Sequence, residues 1–173
     1  MPPVARAVAD GCWYAIRTRS RHEKKSTQRL QEAGIETFLP VAHQVREWSD
    51  RKKIVELPLF PGYGFVRINY LSGDRIRVLS VHGIVSFVGA NGSGTPVPEQ
   101  QIQDLRTLML HKTACQPHPY IAVGRRVRIK GGALDGVEGV LTEQREDRSL
   151  VISLDPIQRS VSIRIEGYEL EVL

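Results

Sequence analysis

Cysteine and long apolar runs are both scarce in this chain of 173 residues. The 2 cysteines, Cys12 and Cys115, lie far apart, and neither belongs to a CxxC or Cys/His cluster with metal-ligand spacing. We therefore expect free thiols and no bound metal. No run of about 18 apolar residues is present, and residues 1–10 lack the continuous apolar core of a signal peptide. These absences favour a globular protein of the cytoplasm with no membrane contact.

The sequence also lacks the motifs of common catalytic sites. It contains no GxSxG, HExxH, P-loop or GxGxxG motif after a strand, and its 5 histidines are scattered. The glycine-rich segment 89–94 lacks the Gly-Lys-Ser/Thr ending of a phosphate-binding loop, so it favours a turn. We predict neither an enzyme nor a cofactor.

The positive charge of the chain is confined to its N-terminal part. Residues 1–111 hold 15 Lys and Arg against 10 Asp and Glu, whereas residues 112–173 hold 9 against 9, so the net charge of +5 arises entirely from the first segment. Such an asymmetry is typical of a chain in which one domain approaches a polyanion and the other meets proteins. Ordinary solubility charge explains the excess equally well.

Residues 12–111 show the pattern of a mixed sheet-and-helix domain. A strand is predicted at 12–17, and Ser20 with Glu23 has the spacing of a capping box, which predicts a helix over 21–33 that ends before Gly34. The strands on either side of the polar turn at 49–50 predict a long hairpin. Further strands are predicted at 37–39, 41–48, 54–57, 63–69 and 84–88, and further helices at 75–80 and from residue 98 onward.

The segment 112–119 is short and polar, and Pro117 and Pro119 are incompatible with a continued helix, so a linker is predicted there. Residues 1–11 are predicted to be a flexible N-terminus. The predicted fold class is α+β, with an antiparallel sheet and flanking helices over 12–111 and a small five-stranded SH3-like β-barrel over 120–173. The barrel strands are predicted at 127–129, 140–141, 150–154, 160–165 and 170–173.

Two segments resemble a known family. The stretch Leu-Phe-Pro-Gly-Tyr-Gly-Phe-Val at 59–66 resembles the motif that begins a strand in the N-terminal domain of NusG proteins, and 13–16 with 22–25 resembles that domain's first strand and helix. The stretch 123–140 is similar to a KOW motif. The resemblance covers nearly the whole chain after Gly11 and implies a bacterial transcription elongation factor with an NGN-like domain at 12–111 and a KOW domain at 120–173. The stretch Glu-Trp-Ser-Asp-Arg-Lys-Lys at 47–53 is more similar to specialised antiterminators of polysaccharide operons.

This resemblance implies an aromatic pocket that receives the clamp helices of the largest RNA polymerase subunit, a helix-in-groove contact. The turn at Pro61 and Gly62 presents aromatic side chains near those of the first strand. Among these aromatic residues, Tyr63 is the one most expected to be exposed, because its hydroxyl group favours a partly solvated position. Any one of these aromatics is more often a core residue. The predicted polymerase-binding residues are Trp13, Tyr14, Phe60, Tyr63 and Phe65.

The resemblance further implies contact with the non-template strand or with upstream DNA. A basic run surrounds the start of the first helix, where arginine forks and helix amides favour phosphate, and a second basic patch is predicted at the hairpin tip. Such basic runs equally often form a helix face that is simply exposed to solvent. Ser80 stands where some family members read bases, but Val81 beside it cannot, so base-specific pausing is not expected. The predicted nucleic-acid-binding residues are Arg17, Arg19, Arg21, His22, Lys24, Lys25, Arg51, Lys52, Lys53 and Ser80.

In the KOW domain, Ile157 and Gln158 replace the Phe-Gly pair through which family members contact a small-subunit ribosomal protein or Rho. Ile157 retains an apolar contact and Arg159 lies beside it, so both are predicted to meet such a partner. Two other hypotheses stay open: a KOW-type RNA-binding module associated with the ribosome or RNA, and an enzyme of unfamiliar type. The charge asymmetry disfavours the first, and the missing catalytic motifs disfavour the second.

Overall fold

The computed structural model describes residues 11–144 and 147–173. Apart from Gly11, the predicted flexible N-terminus at 1–11 lies outside the described residues. The chain folds as two units. Of the described residues, one unit comprises 11–41 together with Leu57–Pro98, and the other comprises Ala42–Glu56 together with Glu99–Leu173.

Thirteen strands and three α-helices make up the regular structure of the described residues. The strands are β1 Cys12–Thr18, β2 Glu36–Phe38, β3 Val41–Trp48, β4 Arg51–Pro58, β5 Tyr63–Ile68, β6 Ile84–Phe87, β7 Pro96–Val97, β8 Gln116–His118, β9 Arg126–Lys130, β10 Glu138–Gln144, β11 Asp147–Leu154, β12 Arg159–Arg164 and β13 Glu169–Val172. The helices are α1 Glu23–Glu32, α2 Asp74–Leu79 and α3 Glu99–Leu110. Two 3-10 turns lie at Ala90–Gly92 and Asp155–Ile157.

The first unit is built on an antiparallel sheet with the strand order β2-β5-β1-β6, and β7 also pairs with β1. Strand β1 is buried at four consecutive positions, from Trp13 to Ile16. A strand buried on both faces needs such a continuous apolar run, and β1 occupies the centre of the sheet. Its register with β5 places Ala15 opposite Phe65.

Helices α1 and α2 contribute to the core of this unit through few side chains. Leu30 of α1 and Val78 of α2 are fully buried and cluster with Ile16, Val66 and Phe87. The remaining buried positions of α1 are polar or charged, at Glu23, Ser26 and Thr27. The buried side of α1 therefore has a single large apolar residue, Leu30, and is otherwise polar.

The capping box predicted at Ser20 and Glu23 is wrong. Helix α1 begins at Glu23, its N-cap residue is His22, and no side chain caps it. The Glu23 carboxylate accepts a hydrogen bond from the distant backbone N–H of Gly62 instead of returning to the local chain. Local spacing predicted the helix correctly, but the Glu23 side chain makes a tertiary contact with Gly62 instead of a local cap.

The second unit contains the hairpin sheet β3-β4 and a sheet with the order β13-β9-β10-β11-β12-β8. All neighbouring strands in the larger sheet are antiparallel. The five strands predicted for the small barrel are confirmed, and β8 adds a sixth at one edge. Helix α3 contacts β10 and β11. The chain thus has the predicted α+β class: an N-terminal antiparallel sheet with helices, followed by a C-terminal antiparallel sheet.

The units differ in three respects from the domains predicted as 12–111 and 120–173. The hairpin β3-β4 and helix α3 both group with the C-terminal sheet, and part of the predicted linker at 112–119 forms β8. Strand β8 pairs with β12 at the sheet edge, with Pro117 opposite Val161. An edge strand tolerates proline because one side of its backbone makes no ladder hydrogen bonds, so the two prolines stop α3 without preventing a strand.

Among the described residues, no helix combines the length and apolarity needed to cross a bilayer. Cys12 and Cys115 do not form a disulfide with each other. Burial raises the pKa of the Cys115 thiol to about 11. This thiol is therefore a poor nucleophile at neutral pH.

Candidate functional site

The turn between β4 and β5 presents Tyr63 at the surface of the first unit. Gly62 has a positive φ of 84°, a conformation that costs glycine little, and this angle lets the chain reverse between Pro61 and Tyr63. The Gly62 carbonyl accepts a hydrogen bond from the Thr18 N–H at 2.8 Å. The Gly62 N–H donates to Oε1 of Glu23 at 2.8 Å. The turn is therefore held between the end of β1 and the start of α1.

Glu23 is a charged residue with only 6% of its surface exposed. Its carboxylate accepts the Gly62 N–H and stands in the first turn of α1, where unpaired backbone N–H groups and the helix dipole favour a negative charge. These two features offset the cost of burying a carboxylate. Glu23 thus connects the helix to the turn that carries Tyr63.

A second loop, between α2 and β6, also contacts the start of α1. The Gly83 carbonyl accepts a hydrogen bond from the Arg19 N–H at 2.8 Å, and Ser26 Oγ donates to the His82 carbonyl at 3.1 Å. Gly83 has φ +98°, and a Cβ atom there would lie 2.4 Å from Ser26 Oγ. The rings of His22 and His82 meet edge to face with centroids 5.7 Å apart. The end of β1, the first turn of α1 and both loops therefore form one continuous surface, which we call the α1 surface.

Four of the aromatic residues predicted to bind the polymerase lie in the core. Trp13, Tyr14, Phe60 and Phe65 are buried, whereas Tyr63 is half-buried. Two of the buried rings pack on neighbouring aromatics: Tyr14 meets Phe87 edge to face at 6.1 Å, and Phe65 stacks obliquely on Phe38 at 6.2 Å. A partner that docks on the folded unit reaches Tyr63, whereas the other four are enclosed in the core. Binding by the whole set stays a prediction.

The Tyr63 ring is flanked by the first residue of the basic run. The Arg17 guanidinium carbon lies 6.0 Å from the Tyr63 ring centroid, at the outer limit of a cation–π contact. Arg17 and Tyr63 are also register partners in the β1–β5 pair. The one accessible aromatic of the predicted set therefore lies next to the basic residues predicted to bind nucleic acid.

The basic residues around the start of α1 are accessible to solvent. The side chains of the run are exposed, and that of His22 is half-buried, with Nδ1 3.0 Å from the Ser20 carbonyl. The exposed residues are Arg17, Arg19, Arg21, Lys24 and Lys25. They lie on the α1 surface, in which hydrogen bonds from the two loops hold the end of β1 and the first turn of α1. An exposed cationic surface with an ordered backbone suits the positioning contacts that proteins make with phosphates.

Ser80 is exposed, but its hydroxyl already has a partner. Ser80 Oγ donates to the Ile76 carbonyl at 2.7 Å, at the C-terminal end of α2. A serine hydroxyl has one donor hydrogen and two acceptor lone pairs, so Ser80 retains only acceptor capacity for a base edge. This limits the predicted base contact to exocyclic amino and other donor groups.

The hairpin patch predicted from Arg51, Lys52 and Lys53 is exposed throughout. Its members are not equivalent, because Lys52 Nζ lies 2.9 Å from Oε1 of Glu47. The three are adjacent along the chain, but adjacent residues on a strand point to opposite faces of the hairpin.

In the second unit, Ile157 and Arg159 occupy different environments. Ile157 ends the 3-10 turn at Asp155–Ile157 and is 4% exposed, whereas Arg159 at the start of β12 is exposed. Asp155 accepts hydrogen bonds from Tyr120 Oη at 2.9 Å and from Gln101 Nε2 at 3.2 Å. The turn is anchored, and its isoleucine belongs to the core, so Arg159 is the accessible residue of the predicted partner contact.

The basic residues of strand β9 are neutralised by carboxylates. Arg128 donates to Glu138 from Nη2 at 2.5 Å and from Nε at 2.9 Å, and Arg126 lies 3.5 Å from the same carboxylate. Lys130 lies 3.3 Å from Glu171. The hydrogen bond to Glu138 raises the pKa of Arg128 above its ordinary value. Such pairing leaves little net positive charge on β9 for an RNA backbone.

Helix α3 buries a carboxyl group. Asp104 is 3% exposed, and burial raises its pKa from 3.8 to about 7. Two hydrogen bonds oppose that rise: Gln100 Nε2 donates to Oδ1 at 2.7 Å, and the backbone of Glu138 also donates. Sequence reasoning did not single out Asp104, although an aspartate between Ile102 and Leu105 on an apolar helix face is a visible signal.

The fold is an N-terminal antiparallel sheet with flanking helices followed by a C-terminal antiparallel sheet, the class predicted from the motifs. The family model described as Transcription termination factor nusG matches residues 11–106. The chain therefore belongs to the NusG family.

Curated relatives match along most of the chain. The transcription termination/antitermination protein NusG of Lactococcus lactis is 29% identical over 174 residues, covering 94% of this chain and 93% of that protein. The protein with the same name from Borreliella burgdorferi is 24% identical over 179 residues, covering 92% and 97%. A solved structure of Thermotoga maritima NusG is similar in fold, with a TM-score of 0.56 and 21% identity over 95% of this chain and 98% of that one.

Proposed function

We propose that this protein binds RNA polymerase during elongation and modulates pausing and termination, as an operon-specific antiterminator. Membership of the NusG family and relatives named for termination and antitermination support the general role. The similarity of the stretch 47–53 to specialised antiterminators supports the operon-specific form. We propose a role through binding alone, with no catalytic step and no cofactor.

The observation that carries this proposal is the partial exposure of Tyr63 on a turn whose backbone is fixed. Hydrogen bonds from Thr18 N–H to Gly62 C=O and from Gly62 N–H to Glu23 hold the turn on both sides. A ring presented by a rigid turn loses little conformational freedom on binding, which is a property of interface anchors. We propose that Tyr63 contacts the clamp helices of the largest polymerase subunit and that the buried aromatics form the floor of the pocket.

The α1 surface is proposed to contact the non-template strand or upstream DNA. Its exposed arginines and lysines surround the start of α1, so phosphates meet both side-chain cations and the positive end of the helix dipole. Of the three predicted hairpin cations, Arg51 and Lys53 are proposed as a second contact, because Lys52 pairs with Glu47. Because Tyr63 adjoins Arg17, docking on the polymerase brings the α1 surface and the bound strand together.

We propose that residues 12–111 carry these contacts and that residues 120–173 meet a protein partner such as Rho or a small-subunit ribosomal protein. Arg159 is the exposed residue available for that contact, with Ile157 beneath it. The alternative, an RNA-binding KOW module, has less support because Arg126, Arg128 and Lys130 each pair with a carboxylate.

Binding of the full chain to isolated clamp helices tests the proposal. We expect Tyr63→Ala to weaken binding by about 1–3 kcal/mol, the usual cost of removing an aromatic anchor, and Tyr63→Phe to restore most of it. Trp48→Ala is the matched control, since it removes an exposed aromatic from the hairpin. Unchanged affinity of a folded Tyr63→Ala protein, or an equal loss with Trp48→Ala, would contradict the assignment.

A further inference from the structure

The hairpin formed by β3 and β4 has two chemically different faces. Its strands pair as a two-stranded sheet and are joined by a two-residue turn at 49–50. Two cross-strand contacts fix which side chains share a face: Lys52 Nζ lies 2.9 Å from Glu47 Oε1, and His43 Nδ1 lies 3.9 Å from Glu56 Oε1. Since successive side chains alternate between faces, these contacts assign the rest of both strands.

The face that holds both contacts, which we call the paired face, contains the two carboxylates of the hairpin strands and one lysine. Between the two contacts, Val45 and Ile54 lie on the same face. The paired face therefore has no excess of positive charge, and its centre is apolar. The members of the paired face are His43, Val45, Glu47, Lys52, Ile54 and Glu56.

The opposite face, which we call the cationic face, has no carboxylate. Its three cations are exposed, and Trp48 has 62% of its surface exposed. Within the described parts of the chain, residues 11–144 and 147–173, these three cations form no ion pair. The nearest acid in sequence, Asp50, lies in the turn and not on either strand. The members of the cationic face are Gln44, Arg46, Trp48, Arg51, Lys53 and Val55.

We propose that the cationic face binds a single-stranded nucleic acid, with Trp48 stacked on an unpaired base and Arg46, Arg51 and Lys53 on the flanking phosphates. An indole stacks on the face of any unpaired base, and cations along the same groove attract the backbone. A base inside a duplex is already stacked on its neighbours, so an exposed tryptophan among cations favours an unpaired strand. The inference deepens the hairpin contact of the proposed function and rests on it, but it does not depend on Tyr63.

This assignment changes the residue set suggested by adjacency along the chain. Lys52 leaves the set because it lies on the paired face against Glu47, and Arg46 and Trp48 join it. The distribution of charge distinguishes the two faces. Both strand carboxylates lie on the paired face, and three exposed cations with no carboxylate beside them lie on the cationic face.

The chain is suited to a direct test, because it has 2 tryptophans and the other one, Trp13, is buried. Quenching of the exposed Trp48 fluorescence therefore reports stacking in the full-length protein. The probes are a twelve-nucleotide oligo-dT, the matching oligo-rU and a duplex of the same length, each titrated at several salt concentrations. We expect both single strands to quench the fluorescence and to bind more tightly than the duplex. The tighter of the two identifies DNA or RNA as the natural strand.

Substitutions of Trp48 test stacking, and two lysine substitutions that each remove one positive charge compare the two faces. We expect Trp48→Ala to weaken single-strand binding about tenfold, within the range measured for stacked bases, and Trp48→Phe to recover part of the loss. Lys53→Gln should weaken binding and reduce the salt slope by about 0.7, the value for one phosphate contact on a single strand. Lys52→Gln removes the same charge one residue away on the paired face and should change the affinity less than twofold.

Equal losses for Lys52→Gln and Lys53→Gln would overturn the proposal, because they would show diffuse attraction without a binding face. Preference for the duplex, or binding without Trp48 quenching, would also overturn it. Clamp-helix binding is measured on the same variants. Its retention separates a failure of this inference from a failure of the proposed polymerase contact.

Discussion

Glu23 and Gly62, which are 39 positions apart in the chain, are joined by a 2.8 Å hydrogen bond from the Gly62 N–H to the Glu23 carboxylate. One carboxylate thereby links the first turn of α1 to the turn that presents Tyr63. The bond also places the basic run and the accessible aromatic on a common rigid support. Glu23 touches neither proposed partner, so it acts as a positioning residue.

Replacing Glu23 tests this link. We expect Glu23→Ala to lower the free energy of unfolding by about 1–3 kcal/mol, because it leaves the part-buried Gly62 N–H without its acceptor. Glu32→Ala removes an exposed carboxylate from the same helix and should cost less than about 0.5 kcal/mol. Urea unfolding of both variants measures the difference. Equal costs would show that the Glu23 contact contributes nothing particular to stability.

Gly83 and Gly73 form a matched pair of glycines. Both have positive φ, +98° and +83°, but a Cβ at 83 would lie 2.4 Å from Ser26 Oγ, whereas a Cβ at 73 would meet nothing within 4 Å. We expect Gly73→Ala to cost roughly 1–2 kcal/mol from backbone strain alone and Gly83→Ala to cost more. Thermal unfolding compares them. The excess at Gly83 should shrink when Ser26 is also alanine, and an excess unaffected by Ser26→Ala would count against the steric cause.

The raised pKa of Asp104 leads us to expect that the free energy of unfolding falls as the pH rises. Its folded-state pKa, about 7, lies above the ordinary 3.8, so the folded protein holds this proton more tightly than the unfolded chain does. The stabilisation is complete below about pH 4 and is lost as the pH rises through about 7. We expect a loss on the order of 2–4 kcal/mol across that window.

Asp104→Asn removes the titrating group and should flatten this part of the stability profile. Asp50→Asn, in the exposed hairpin turn, should leave the profile unchanged. Urea unfolding between pH 5 and pH 8 measures both. An Asp104→Asn protein with the same pH slope as the parent would refute the role of this carboxyl.

Charge removal on α1 separates nucleic-acid contact from polymerase contact. We expect Arg19→Gln, on the α1 surface, to weaken binding of a bubble-containing DNA and to reduce the salt slope by about 1. Arg29→Gln removes the same charge from the last turn of α1 and should have little effect. Clamp-helix affinity should stay constant in both. A parallel loss of clamp-helix affinity in Arg19→Gln would place α1 at the protein interface.

The sequence predicted most elements of the fold because their patterns are local. Strand β3 occupies the predicted residues, and β1, β5 and α2 differ from prediction by about one residue at an end. Strand β8 was not predicted, because Pro117 and Pro119 indicate a linker. Prolines exclude a helix interior and a central strand, but they are compatible with an edge strand. Its place depends on pairing with β12, a long-range contact that local pattern does not encode.

The candidate site was less predictable for the same reason. The apolar stretch at 13–16, which begins with two aromatic residues, has the composition of either a docking face or a central strand. Its residues are buried because β1 pairs with strands on both sides. Glu23 has the spacing of a local cap, but its partner is Gly62. On the hairpin, the cation pattern is visible in the sequence, whereas the division into faces requires the Glu47–Lys52 contact.

The most direct test of the central claim is site-specific photo-crosslinking of the full chain to RNA polymerase from position 63. We expect a photoreactive phenylalanine analogue at Tyr63 to crosslink to the clamp helices of the largest subunit. The same analogue at Val172, exposed in β13, should not label these helices. Efficient labelling of the clamp helices from position 63 alone would establish the turn as the docking point. Labelling elsewhere, or no labelling by a folded protein that still binds polymerase, would contradict it.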